Sequence, residues 1–229
     1  NSESSDGIHA SNTTVTFNNN ASVTICVGDD GIYLTNGTIH INGTQNFSIT
    51  AEDDGMSLTE ANIMLNGAKI SIISLDDEGI DASDTDISLE NSEITINADD
   101  LGIDLEYCSF TANYSEIEII SGDDGFDTFD SDVYIGLCTL NITAADKGLD
   151  IGGSLNDMPI TIFESEVNIN SSSNELTDAS FDLEGCALTI KASDNGIELS
   201  NACLCLYSSE LTVDASKPYS ALANSATLL

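Results

Sequence analysis

Apolar and polar residues alternate with a period of two in short bursts along almost the whole chain. Ile32-Tyr33-Leu34, Ile39-His40-Ile41 and Phe47-Ser48-Ile49 form one set of three. Ile80-Asp81-Ala82, Ile87-Ser88-Leu89 and Ile94-Thr95-Ile96 form another, and Ile197-Glu198-Leu199, Leu204-Cys205-Leu206 and Leu211-Thr212-Val213 a third. Period two sends one side chain inward and the next outward, as in a strand. No stretch of ten or more residues carries the 3.6-residue period of an amphipathic helix. The segments between bursts are rich in Asn, Ser, Thr, Asp and Gly, which favour turns. The pattern predicts many short strands joined by tight turns.

The bursts are locked to a repeat. A motif Asp-x-Gly-apolar recurs with glycines at 7, 31, 55, 79, 102, 125, 148 and 196. Successive gaps are 24, 24, 24, 23, 23 and 23 residues, then 48, which is two periods. Inside that double gap Ser173-Asn174-Glu175-Leu176 stands where a copy is expected, with Glu175 read into the glycine place. A partial tenth turn is expected at Lys217-Pro218-Tyr219. Three strands and three turns per period make one coil of a solenoid, in which each coil buries its apolar face only by stacking on its neighbours. The fold class expected is all-β: a single-stranded parallel β-helix of about nine to ten coils over residues 1–219, with like strands about 4.8 Å apart. The apolar tail 220–229 is read as a cap for the open end of the core, and the N-terminal end, with no equivalent, is compatible with a start inside a longer protein.

Two columns of small residues support this alignment. Thr13, Gly37, Ala61, Thr85, Cys108, Ser131, Ala179 and Ala202 lie two before the second strand of their coils. Ala21, Ala68, Ser92, Ser115, Cys138, Ser165, Cys186 and Ser209 lie two before the third. Tight inward corners require small side chains. An insertion is read at Gly152 to Asp157 and a less regular turn at Asn113 and Tyr114.

The charge then narrows the functional classes. Of 229 residues 40 are acidic and four basic, Lys69, Lys147, Lys191 and Lys217, for a net charge of -36. Nucleic acid is excluded as a partner, since neutralising phosphates takes Lys and Arg, and anionic lipid is disfavoured likewise. No apolar run approaches the ~20 residues of a membrane span. With 41% hydrophobic residues the chain can still form a core. It opens at Asn1 with neither Met nor an apolar leader, so any export signal is expected to have been removed or left out of this sequence. The expected state is a monomer.

The six cysteines do not suit a disulfide framework in this alignment. Cys138 and Cys186 share a corner column two coils apart, near 9.6 Å, beyond the ~7 Å limit between bridged Cα atoms. Cys108 belongs to the other corner, Cys26 points outward, and Cys203 and Cys205 sit at i and i+2 on one strand. The expectation is free thiols or small corner residues. Asn-x-Ser/Thr sequons are given no weight in so Asn- and Thr-rich a chain.

Candidate chemistry lies on the glycine turn. Two residues before the glycine stand Asp29, Asp53, Asp77, Asp100, Asp123, Asp146 and Asp194; one before stand Asp6, Asp30, Asp54, Glu78 and Asp124. Two residues after it, on the outward face, come His9, Tyr33, Ser57, Asp81, Asp104, Asp127, Asp150, Thr177 and Glu198 in this alignment. Like charges stacked about 4.8 Å apart repel by roughly 1 kcal/mol per pair in water and several times more at lower dielectric. Ca²⁺, a hard ion taking six to eight oxygens, is the natural compensation, and carboxylates of adjacent coils with turn carbonyls could supply them. Mg²⁺ demands stricter octahedral geometry, and zinc is disfavoured because His9 and His40 lie in different coils and no Cys spacing fits. The candidate metal ligands are therefore Asp29, Asp30, Asp53, Asp54, Asp77, Asp81, Asp100, Asp104, Asp123, Asp124, Asp127, Asp146 and Asp150. An Asp before Gly also caps turn amides; for the pairs Asp29/Asp30 and Asp53/Asp54 the two roles stand level.

The coils Gly28-Asp29-Asp30-Gly31-Ile32, Glu52-Asp53-Asp54-Gly55-Met56 and Gly122-Asp123-Asp124-Gly125-Phe126, each followed by short Thr/Asn/Ile strands, resemble a clostridial-type family of carbohydrate-binding parallel β-helix proteins. The resemblance spans nearly the whole chain. It implies a right-handed helix, bound Ca²⁺, and a secreted or cell-surface binder of plant cell-wall polysaccharide, polygalacturonate (pectin) or cellulose. It also implies a Ca²⁺ pocket like that of pectate lyases. A polyuronate is an anion and would have to be met through a metal ion. Trp is absent; Tyr33 and Tyr134 are candidate sugar contacts, although they form no column. Enzyme and binder remain open at this point. Lys147, between Asp146 and Gly148, matches a lyase base in kind, but neutralising its neighbouring aspartates is the better account of it, since crowded carboxylates raise a Lys pKa. A structural adhesin stiffened by Ca²⁺ is the third class.

Overall fold

The computed structural model describes residues 5–19, 21–43, 46–153, 159–218, 220–222 and 227–228. They form a β-solenoid of three parallel sheets wound into about nine turns, with no helix among the described residues. The first sheet has ten strands, from Ile8–Ser11 to Ser220–Leu222; the second has ten, from Thr14–Phe17 to Thr227–Leu228; the third has nine, from Ser22–Cys26 to Glu210–Lys217. Each strand pairs with its counterparts one coil before and one coil after, so Asp81 stands between Ser57 and Asp104, and Ile96 between Ile72 and Ile119. The described parts of the tail extend the first two sheets by pairing with Glu198–Ser200 and Cys203–Tyr207. The rest of the tail, Tyr219, and residues 154–158 of the expected insertion lie outside the described residues.

The inward positions of all three sheets make one continuous core. Its spine is the column Ile49, Ile72, Ile96, Ile119, Ile142, Ile169 and Ile190 on the third sheet, every member at most 2% exposed. Burying one such side chain stabilises by roughly 1.5–3 kcal/mol. The spine also explains the glycines. A Cβ built on Gly79 would lie 2.2 Å from Ile96 Cγ2 and 2.5 Å from the carbonyl oxygen of Gly102. The same two obstacles recur at Gly31, Gly55 and Gly102. The column is glycine because backbone meets backbone there, not because of an unusual φ.

The other two corners are built differently. One residue in the left-handed region swings the chain from sheet to sheet: Asn36, Glu60, Asp84, Tyr107 and Asp130 at one corner, Asn91, Tyr114, Leu137 and Glu164 at the next. Outside glycine that conformation costs roughly 1–2 kcal/mol. The small residue that follows compensates through hydrogen bonds. The Cys108 amide donates to Ser131 Oγ at 2.9 Å, and Ser131 Oγ donates to the Leu105 and Phe129 carbonyls. At the next corner the Ser92 amide donates to Ser115 Oγ, Ser115 to Cys138 Sγ, and Cys138 to Ser165 Oγ. Each Ser, Thr or Cys in these columns that accepts in this way serves an amide that the change of sheet would orphan. Cys108, Cys138 and Cys186 take serine's place in these ladders, and burial pushes their thiols up, Cys108 to about 11.

Six free thiols, however, is wrong. Cys203 and Cys205 are joined in a disulfide, with Cα atoms 6.0 Å apart. Positions i and i+2 of one strand share a face, and that separation falls within the range a disulfide spans. Cys26, exposed, and the three buried corner cysteines are free.

Candidate cation-binding edge

The register fixes the outward row of the first sheet residue by residue. It runs His9, Tyr33, Ser57, Asp81, Asp104, Asp127, Asp150, Glu175 and Glu198. Six consecutive coils therefore present a carboxylate, where the sequence pattern indicated four. The difference is the degraded coil. Glu175 is not in the glycine place, and Thr177 is not in the row: Glu175 pairs with Asp150 on one side and Glu198 on the other. Asn174 takes the place of the inward apolar residue. It is 1% exposed, accepts the Leu149 amide at 3.1 Å and donates to the Gly196 carbonyl at 2.9 Å. One side-chain amide thereby bridges the coils on either side. The sequence held a usable signal: in the regular coils the row residue precedes the inward corner residue by four, and Glu175 stands four before Ala179.

The glycine turn brings a second set of carboxylates beside this row. Among the described residues, four groups of three place acidic oxygens within 4.8 Å of one another: Asp6, Asp29 and Asp30; Asp54, Asp77 and Glu78; Asp123, Asp124 and Asp146; Asp124, Asp127 and Asp150. Asp6 and Glu78 join groups whose other members were candidate ligands. Asp53, Asp81, Asp100 and Asp104 fall outside the four groups, although Asp81 and Asp104 are neighbours in the row and Asp100 pairs its backbone with Asp77 and Asp123. Asp30 and Asp124 also cap turns, accepting the amides of Asp54 at 3.3 Å and Lys147 at 2.8 Å. The expectation that glycine frees turn carbonyls for a metal is corrected. The carbonyls of Gly55, Gly79, Gly102 and Gly125 each accept an amide from the preceding coil, and those of Asp54, Glu78 and Asp124 do the same.

Without a counter-ion the crowding shows as proton affinity. Burial, then the charges of Asp150, Asp104 and Asp124, lift Asp127 to about 7. Asp104 is lifted to about 6 by burial and then by Asp81 and Glu106. Asp30 reaches about 6 through burial and then Asp6, Asp29 and Asp53. Burial also raises Asp53, Asp54, Glu78, Asp81, Asp100 and Asp124. Glu78 is raised further by hydrogen bonds with Asp77 and Asp54. Asp54 Oδ1 is buried and has no hydrogen-bond partner among the described residues. An orphaned carboxylate oxygen inside a group of hard donors fits Ca²⁺ by donor type.

Lys147 lies in the middle of the edge. Its ammonium pairs with Asp150 and lies 3.6 Å from Asp124 Oδ2 and 3.9 Å from Glu175 Oε2. Partial burial works against its charge, but the Asp150 hydrogen bond and the charges of Asp150, Asp124 and Glu175 outweigh it and raise the pKa. A lysine so held is a poor proton acceptor at neutral pH.

The aromatic candidates separate. Tyr33 is half-buried in the outward row, its ring 4.8 Å from that of His9, whose Nδ1 is 2.5 Å from Asp6 Oδ2. Tyr134 is exposed on the second sheet, away from the carboxylate row. The sequence reading missed Tyr107 and Phe129, which are 51% and 44% exposed, with ring centroids 5.9 Å apart, edge to face. Phe129 shares a strand face with Asp127 two residues earlier, so this pair adjoins the carboxylate row. Comparison of the chain with family models, curated proteins and solved structures returns no match. Among the described residues no helix is long and apolar enough to cross a membrane.

Proposed function

We propose that this chain is a calcium-dependent, non-catalytic binder of anionic plant cell-wall polysaccharide of the polygalacturonate class, working outside a bacterial cell. The observation that carries the reading is the doubled carboxylate edge: six consecutive row carboxylates beside the turn carboxylates, with four groups of three among the described residues whose oxygens lie within 4.8 Å of one another. Residues that would hold calcium are Asp54, Asp77 and Glu78, and Asp123, Asp124 and Asp146. The ion would supply an attachment point for a sugar carboxylate that the bare protein, at -36, repels. The exposed Tyr107 and Phe129 offer a stacking surface for the apolar face of a sugar ring beside the row. The resemblance of the Asp-Asp-Gly-Ile coils to the clostridial-type binders points the same way. The lyase alternative is less well supported, because Lys147 is tied to three carboxylates and its pKa is raised.

The test is retention on immobilised polygalacturonate with CaCl₂ and release by EDTA, with ultraviolet absorbance of unsaturated product followed in the flow-through. Retention that needs calcium, without product, is expected. Absent retention, or retention indifferent to EDTA, would overturn the reading, and product that vanishes in Lys147→Ala would establish the lyase instead.

A further inference from the structure

Nine large apolar side chains stand exposed among the described residues, and five of them gather on or beside the second sheet in two adjacent coils: Tyr107, Tyr114, Phe129, Tyr134 and Leu137. Three of the five carry a further cost. Tyr107, Tyr114 and Leu137 occupy left-handed corner positions, and every other such position among the described residues holds Gly, Asn, Asp, Glu or Ser. A bulky residue is unusual there. The conformation costs roughly 1–2 kcal/mol, and the exposed side chain leaves apolar surface in water as well. The fold gains from neither. Tyr134 is placed by a different device. A Cβ built on Gly136 would lie 2.8 Å from Tyr134 Cε1 and Oη. Gly136 is two residues on and on the same strand face, so the absent side chain is what lets the Tyr134 ring lie down along the strand.

We infer that these five side chains form a sugar-stacking strip on which a polysaccharide chain lies along the strands, across the solenoid axis. The inference rests on the polygalacturonate reading above and gives that ligand a path. The strip starts where Phe129 adjoins Asp127 of the carboxylate row and meets Tyr107 edge to face. It runs over Tyr134 in the middle of the second sheet. It ends at the next corner, where Tyr114 and Leu137 line an open groove of about 520 Å³. The intervening strand Ser109–Asn113 runs roughly 15 Å, and the chain from Tyr107 to Tyr114 reaches at most about 25 Å. A trisaccharide falls short of that path and a hexasaccharide covers it. Charge and chemistry select the occupant. At a net charge of -36 the molecule repels nucleic acid and anionic lipid. A protein partner needs an interface core depleted of charge, and here the exposed Glu106, paired with Phe129, and Asp132, paired with Ser109, interrupt the rings. A pyranose chain meets both features: its apolar C–H faces cover the rings, and its hydroxyls donate to the carboxylates between them. The strip holds no cation for the sugar carboxylates, so calcium at the row meets the first of them and solvent the rest.

The experiment titrates the full chain with tri- and hexagalacturonate by calorimetry at pH 7.5, in CaCl₂ and again in EDTA. The variants are Tyr134→Ala, Tyr114→Asn and, as a control on an exposed tyrosine of another coil, Tyr207→Ala. Asparagine already fills the corner of Tyr114 one coil earlier, at Asn91, so that variant keeps its fold. Wild type is expected to bind the hexamer more tightly than the trimer. Tyr134→Ala and Tyr114→Asn are expected to weaken the hexamer by roughly two- to tenfold each, the worth of one aromatic contact, and to shrink its advantage over the trimer, while Tyr207→Ala changes neither. Calcium-dependent binding that both variants leave untouched overturns the strip and leaves the functional reading standing. Binding that persists in EDTA and weakens in Tyr134→Ala sinks the calcium reading and keeps the strip. A wild type that sediments as a dimer, with Tyr134→Ala a monomer, makes the strip a self-association surface and overturns the proposal. No binding of either oligosaccharide in either condition overturns both.

Discussion

A glycine and an asparagine show how much one position decides in this molecule. At Gly102 an added Cβ would lie 2.3 Å from Ile119 Cγ2 and 2.4 Å from the carbonyl oxygen of Gly125. Neither obstacle is the loose end of a flexible chain: one is a buried methyl of the core spine, the other a backbone carbonyl that accepts the Ile103 amide. Overpacking of this kind costs about 1–3 kcal/mol, and more when backbone must move. Gly102→Ala is therefore expected to lower stability by about 3 kcal/mol in urea unfolding, and Tm with it. A Gly102→Ala protein within 0.5 kcal/mol of wild type, by the usual range for uncoupled surface changes, would show that the coils can slide apart locally and that the Asp-x-Gly motif is kept for another reason. Asn174 is the counter-example. The glycines were legible from the sequence because backbone contact leaves no alternative residue. Asn174 was not, because a buried amide bridging two coils can replace an apolar side chain without leaving a periodic trace. That substitution hid the register of Glu175.

At the scale of elements, the strands were readable and the corners only partly. Alternation and spacing were enough for the three sheets, because a strand with one buried face has one admissible register. The columns of small residues marked the corners, but their hydrogen bonding is a property of stacking: Ser, Thr and Cys are interchangeable there because each can both accept and donate. The site was legible as an edge and not as ligand groups, since which carboxylates converge depends on side-chain direction between coils. The row carries a prediction opposite to ordinary acid denaturation. Of its carboxylates Asp81, Asp104 and Asp127 have folded pKa values raised above the unfolded ~4, Asp104 to about 6 and Asp127 to about 7, and beside the row the turn's Asp30 is raised to about 6. Between those limits the folded chain binds more protons than the unfolded one, so stability falls as pH rises. In EDTA, Tm is expected to be highest near pH 4–5 and to fall through pH 6–7, and saturating CaCl₂ is expected to flatten the profile by taking the protons' place. A metal-free Tm that rises between pH 5 and 7 would mean that the row is already neutralised in the folded chain.

For the whole molecule the question is whether -36 is a diffuse charge or a registered one. A diffuse acidic surface keeps a chain soluble and loosens it through general self-repulsion, and any salt relieves that by ionic strength alone. A registered edge behaves differently. Row neighbours stand about 4.8 Å apart, inside the ~10 Å Debye length of 0.1 M salt and beyond the ~3 Å of 1 M. Simple salt should thus stabilise the metal-free solenoid only slowly, with most of the gain above 0.1 M. Calcium acts by occupancy instead, stabilising by the logarithm of its concentration over its dissociation constant, and its effect should saturate at concentrations where its ionic strength is negligible. Coils contact only their neighbours, so neutralising one stretch of the edge should raise its own stability first and shift the cooperative transition after. Thermal melts in EDTA with NaCl from 10 mM to 1 M, set against melts with millimolar CaCl₂ at matched ionic strength, separate the two. A Tm gain from calcium well above that from NaCl is expected for a cation-binding edge. Equal gains at equal ionic strength would make the charge a solvation device, and the ordered carboxylates a by-product of placing Asp at every turn.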